Sequence, residues 1–231
     1  MPLLSPDVLA PGRFRLLLLS LLLFIVVTAA TASSRQAVLI ELVLLAVTIV
    51  VAVLELRTRE QRGLATIALA TLAISLALVD FAAPLTHLPL IASTVVGLFS
   101  GLVVSLAYAS VMRPHRSAGD RIVGAICVYL LMGLAWAKFY ETLDGVAPGS
   151  FRFPVDTAWM VPGPLRYRYF SFVTLATLGY GDITPRTALA GTLAALEAVG
   201  GQLYIGITVA RLVALSLAER AGPDQSSKSG A

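Results

Sequence analysis

The residues best suited to chemistry stand nine in a row: Thr174, Leu175, Ala176, Thr177, Leu178, Gly179, Tyr180, Gly181 and Asp182. Successive peptide carbonyls can face one axis only where the backbone alternates in hand, and Gly179 and Gly181 take positive φ without Cβ strain. Thr177 can add a hydroxyl oxygen at the inner end of that column. The chemistry on offer is oxygen ligation of a cation. Other reactive side chains are scattered. His87 and His115 fall in loops on opposite sides, without the paired carboxylates or nucleophile–base spacing of an enzyme. Cys127 is the single cysteine and lies inside an apolar block, which excludes a disulfide framework and a cysteine-held metal cluster. Lys138, the sole lysine within a block, sits near its outer end and suits a retinal-type Schiff base poorly.

The elements that must hold this segment belong to a membrane. Of 231 residues, 58% are hydrophobic and 13% charged, with a mean hydropathy of +0.87; soluble domains run at roughly 45–50% apolar. Apolar blocks cover residues 16–30, 37–56, 64–81, 88–112, 121–143 and 187–217. Blocks of about 17–25 residues cross a hydrocarbon core of roughly 30 Å, so the expectation is an all-α membrane protein with six transmembrane helices. A shorter amphipathic stretch, 165–176, reads as re-entrant. Arginines mark one side: Arg13 and Arg15, then Arg57, Arg59 and Arg62, then Arg113 and Arg116, and finally Arg220. The loops of opposite parity, 31–36 and 82–87, carry only Arg35. Basic loops stay on the cytoplasmic side, which predicts a multi-pass protein of the cell membrane with both termini cytoplasmic. The net charge of +4 follows from that topology and is no nucleic-acid footprint.

Ala30-Thr31-Ala32 after a leucine-rich block also has the look of a signal-peptide cleavage site, but the basic loops continue in phase with a retained first helix. The expected organisation is a four-helix bundle over 1–112, a short cytoplasmic linker 113–119, a helix–segment–helix unit over 120–218 and a disordered polar tail 219–231. Within the unit, the Gly/Pro-rich stretch 144–164 reads as an exposed turret.

Placed after a short amphipathic helix, before Pro185 and between two apolar blocks, the nine residues resemble the selectivity filter of potassium channels. The chain as a whole is similar in layout to bacterial six-helix potassium channels, with the motif-level likeness confined to about 120–217. The resemblance implies a filter of Thr177, Leu178, Gly179, Tyr180 and Gly181, in which oxygens of the first four residues replace water around K+, the mechanism described for that family. One chain supplies one strand, so a homotetramer of voltage-gated-like architecture is implied, its pore on the symmetry axis. Asp182, Tyr169 and Phe170 become filter supports, the last two standing where those channels often carry two tryptophans. Phe170 has no donor, whereas Tyr169 can reach Asp182. Glu197, roughly 15 Å into the last block, is expected to support the filter from behind through a hydrogen bond to the pore helix.

Further expectations follow from the flanking residues. Gly200 and Gly201 form a candidate hinge, and paired small residues equally permit close helix packing. Ile205, Val209 and Val213 recur every four residues as a candidate inner gate, or as ordinary core. The fourth block has no basic residue between positions 88 and 112, so conduction should have little voltage dependence. Thr184 stands where an aromatic ring favours external tetraethylammonium block, so that block should be weak. The short linker keeps each bundle against its own pore unit. Glu41, Glu55 and Asp80 lie toward helix ends, where solvated or locally paired carboxylates are expected. The bound ion is K+, and the partners are membrane lipids and other copies of the chain, with no nucleic acid and no small-molecule substrate. Two alternatives are a weakly selective cation channel, a class that usually loses the filter tyrosine, and a membrane receptor using the helical bundle as a ligand pocket.

Overall fold

The structure, a computed structural model, describes residues 13–32, 37–56, 88–112, 118–154 and 163–221. It contains α1 (Arg13–Ala30), α2 (Ala37–Leu56), α3 (Leu88–Val111), α4 (Ala118–Val146), α5 (Pro164–Leu175) and α6 (Ala188–Ala221). The apolar block 64–81, the residues Asp80, His87 and His115, and the tail beyond 221 lie outside the described residues. Helix α6 continues past the expected end of the last block at 217, into the stretch read as tail. Among the described residues, three helical segments are long and apolar enough to cross a membrane: Thr94–Val111, Gly119–Val146 and Ala188–Leu215. Helices α1 and α2 contribute shorter apolar runs, Phe14–Ala30 and Leu39–Ala52. In hydrocarbon a backbone must satisfy its own polar groups, which favours helices at every such block.

Helix α4 is the hub, with α1, α3, α5 and α6 all packed on it. The core joins Phe14, Leu17 and Leu21 of α1 to Phe99, Val103, Ala107 and Val111 of α3 and to Ala125, Cys127, Val128 and Leu131 of α4. The four-residue spacing on α3 gives one apolar stripe at the helical period. Close approach is possible because position 124 is glycine: a Cβ there would lie 2.6 Å from Val111 Cγ2 and 2.8 Å from Phe14 Cδ2. Helices α1 and α4 start at the same end, where the Asp120 carboxylate accepts the Phe14 N–H at 3.3 Å and supplies a partner that the first turn of a helix lacks. Thus α1 and α3 lie against the α4 of their own chain.

Of the stretch 144–164 read as an exposed turret, residues 155–162 lie outside the described residues, and the described part is only partly exposed. Ala147–Gly149 is exposed, but Ser150 and Phe151 are buried. They are covered because β1 (Phe151–Arg152) pairs antiparallel with β2 (Thr184–Pro185), Phe151 opposite Pro185, and Arg186 N–H donates to Ser150 C=O at 2.7 Å. This short ladder clips the chain before α5 to the chain after the nine-residue segment. Phe151 then joins Tyr140, Tyr167, Phe170 and Ile183 in a second, aromatic core.

Candidate functional site

Helix α5 begins with Pro164 at its first turn, where a missing N–H costs nothing. It ends in a Schellman-type cap: Thr177 N–H donates to Thr174 C=O at 2.9 Å, and Leu178 N–H to Val173 C=O at 2.9 Å. That cap requires a left-handed residue at its turn, and Thr177 supplies it at φ 57°. Glycine is the usual occupant. A β-branched residue there is a backbone outlier worth about 1–3 kcal/mol of strain. The hand then alternates, with Gly179 at φ 57° and Gly181 at φ 79°. Every residue from Ala176 to Gly181 is exposed in the single chain.

Side chains of α5 and α6 hold this segment from different directions. Tyr169 donates its hydroxyl to Asp182 Oδ2 at 2.6 Å, and its ring stacks on Tyr180 with centroids 6.5 Å apart. Burial pushes the Tyr169 phenol above its ordinary pKa, and the bond to Asp182 pushes it the same way, so it remains a donor. Asp182 Oδ1 accepts the Ile183 N–H at 2.9 Å. Phe170 turns elsewhere, into the aromatic core, with ring centroids 5.1 Å from Tyr140 and 5.2 Å from Phe151. It braces α5 against α4 and β1. Tyr180 remains 66% exposed and Leu178 56% exposed.

Glu197 on α6 is fully buried. Its Oε1 lies 2.5 Å from Ser171 Oγ of α5, and its Oε2 accepts the Tyr140 hydroxyl of α4 at 2.6 Å. Ser171 Oγ also lies 2.8 Å from Gly133 C=O. One buried carboxyl therefore ties α4, α5 and α6 together directly behind the segment. Gly201 adds a steric counterpart, because a Cβ there would run into the Leu175 carbonyl oxygen in the last turn of α5. Gly200 has open space around it. Of the two readings of the glycine pair, close packing is the one visible at Gly201.

The remaining candidates lie on another face of α6. Ala190, Glu197, Gly201 and Thr208 form its buried stripe, while Ile205, Val209 and Val213 are exposed. At 3.6 residues per turn those three share a side with Gln202, roughly 40–120° round from Gly201. Gln202 Nε2 lies 3.4 Å from Thr177 Oγ1. The stripe is therefore not core of its own chain, and its side faces the inner end of the segment.

Sequence reasoning missed Ser171, Tyr140, Gln202 and Arg168, and misjudged Glu41. Arg168 of α5 is buried and forms a 2.8 Å ion pair with Glu41 of α2. Glu41 is thus partly exposed, and it is not locally paired: its partner is 127 residues away. A cation in a helix surrounded by protein needs a distant anion, and that requirement was the available signal.

Residues 125–216 match the family model described as ion channel. No curated protein and no solved structure matches the chain. The match spans α4, α5, the exposed segment and nearly all of α6, the elements that the geometry gathers around Thr177–Gly181. Residues 125–216 are thus similar to an ion-channel domain, and the long apolar helices fit a membrane protein.

Proposed function

We propose that this protein is a potassium-selective channel, with four copies placing their Thr177–Gly181 segments around one axis. The observation that carries this reading is Thr177 at φ 57°. Glycine would close the same cap without strain, so threonine at that position is retained for its hydroxyl, at the end of an alternating column of oxygens. Strained backbone of this kind concentrates at functional sites. Rings of Thr177, Leu178, Gly179 and Tyr180 oxygens would then substitute for the hydration shell of K+. The tetramer is supported by exposure: in the most apolar 18-residue stretch of Thr94–Val111 and of Gly119–Val146, 33% and 39% of the residues are buried within one chain, but in that of Ala188–Leu215 only 11%. Neighbouring copies would cover α6 and the faces of Leu178 and Tyr180.

In this reading Ile205, Val209 and Val213 line the inner mouth as the hydrophobic gate, and Asp182, Tyr169 and Glu197 hold the filter. The full chain crosses the cell membrane six times with both termini cytoplasmic. Conduction has little voltage dependence because α3, in the place of a sensor helix, has no basic residue. The test is flux from liposomes of purified protein under a K+ gradient, repeated with Na+, with the mass of the assembled protein measured alongside. Selective K+ flux from a four-chain assembly is expected. Equal K+ and Na+ flux supports a weakly selective channel instead, and no flux or a monomer overturns the reading.

A further inference from the structure

Arg168 ties the pore helix to parts of the chain outside the ion-channel match. Its side chain reaches both α1 and α2. Nη1 donates to Thr28 Oγ1 at 2.7 Å, and Nη2 donates to Glu41 Oε1 at 2.8 Å. The Phe24 ring centroid lies 5.2 Å from the guanidinium carbon. Thr28 passes the contact on, because its hydroxyl donates to Phe24 C=O.

A helix end reinforces this pairing. Thr28 lies in the last turn of α1, where the helix dipole is negative and favours a cation. The Glu41 carboxylate is partly exposed, while Arg168 is 7% exposed, so its bond to buried Thr28 has little water to compete with it. Charge-assisted bonds in such surroundings are the strong ones.

The consequence lies in how α5 is held. Arg168, Tyr169 and Ser171 occupy consecutive directions around a twelve-residue helix. Tyr169 grips Asp182, Ser171 meets Glu197 of α6, and Arg168 holds α1 and α2. The last turn of the same helix carries Thr177 through backbone bonds. A short rigid rod fixed at these points cannot tilt without moving the segment it caps.

We propose that Glu41 and Thr28 are positioning residues for the filter, acting through Arg168, and that α1 and α2 thereby bias the equilibrium between conducting and non-conducting filter geometries. The inference rests on the channel reading above. Its test is single-channel recording of the full-length protein in planar bilayers, comparing Glu41→Gln, Arg168→Glu, Glu41→Arg and the exchanged pair Glu41→Arg with Arg168→Glu. Glu41→Gln leaves an amide oxygen to accept from Arg168 and removes only the charge assistance, which corresponds to a shift of about fivefold to tenfold in such an equilibrium. Glu41→Gln is expected to lower the odds of being open about fivefold to tenfold, with unitary current during openings unchanged. The exchanged pair should recover most of the loss seen in either single reversal.

A merely structural anchor would reduce the number of assembled channels and leave each channel's open probability alone, so recording one channel at a time separates the two. Should the Arg168 variants fail to assemble, Thr28→Val, which keeps shape and loses the acceptor, must shift open probability in the same direction as Glu41→Gln. Selective wild-type K+ current with Glu41→Gln and Thr28→Val within twofold of it overturns this inference alone. A wild-type protein that carries no K+ current overturns the channel reading and this inference with it.

Discussion

Replacing each member of the glycine pair separately distinguishes a hinge from a packing contact. At Gly201 an added methyl meets the Leu175 carbonyl oxygen and lies 2.9 Å from Leu175 Cδ1; carbon–carbon contacts relax to about 3.5–4.0 Å. The leucine side chain can rotate away. Its carbonyl cannot, because it belongs to the last turn of the helix that carries Thr177. Helix α6 must therefore shift from α5 until the methyl clears that oxygen, and overpacking of this kind costs about 1–3 kcal/mol per chain. At Gly200 nothing lies within 4 Å of the added atom, so alanine there gains up to about 1 kcal/mol of helix propensity. A flexibility hinge predicts a different pattern, with both substitutions stiffening the helix and impairing opening alike. The assay is the thermal midpoint of purified protein together with K+ flux per chain in liposomes. Gly201→Ala is expected to lower both, while Gly200→Ala holds or raises the midpoint and retains flux. Wild-type behaviour in Gly201→Ala, or equal damage in Gly200→Ala, refutes the packing argument.

Two further outcomes follow from the site. Thr177→Gly relieves a left-handed threonine and should stabilise the fold by about 1 kcal/mol or more while K+ flux falls for want of the hydroxyl; unchanged flux in a calorimetrically stabilised variant would show that the hydroxyl has no part in conduction. Glu197→Leu strips the acceptor from the buried Tyr140 hydroxyl, a loss of about 1–3 kcal/mol, whereas Glu197→Gln keeps an acceptor for Tyr140 and a donor for Ser171. Thermal denaturation should rank glutamine close to wild type and leucine well below it, and equal midpoints for the two variants contradict the network.

Much of the site was legible because local chemistry dictates it. Glycines at 179 and 181 announced alternating hand, and the structure gives both positive φ. The 165–176 stretch was legible as a short helix and runs as Pro164–Leu175, since proline starts it and the left-handed turn at Thr177 ends it. The bond from Glu197 to the pore helix was expected, but its acceptor geometry was not, because Ser171 and Tyr140 are 26 and 57 residues away.

By itself the sequence determined a membrane chain of apolar helices with one segment of alternating backbone hand, since length, hydropathy and glycine spacing act within a few neighbouring residues. Tertiary structure alone decided that Phe151 is buried by strand pairing, that Phe170 faces the aromatic core, and that Gly201 touches Leu175. It also decided that Glu41 finds Arg168. A charge in a low-dielectric interior must be neutralised by whichever partner the packing brings within reach, and in an apolar sequence of this kind nothing local names that partner.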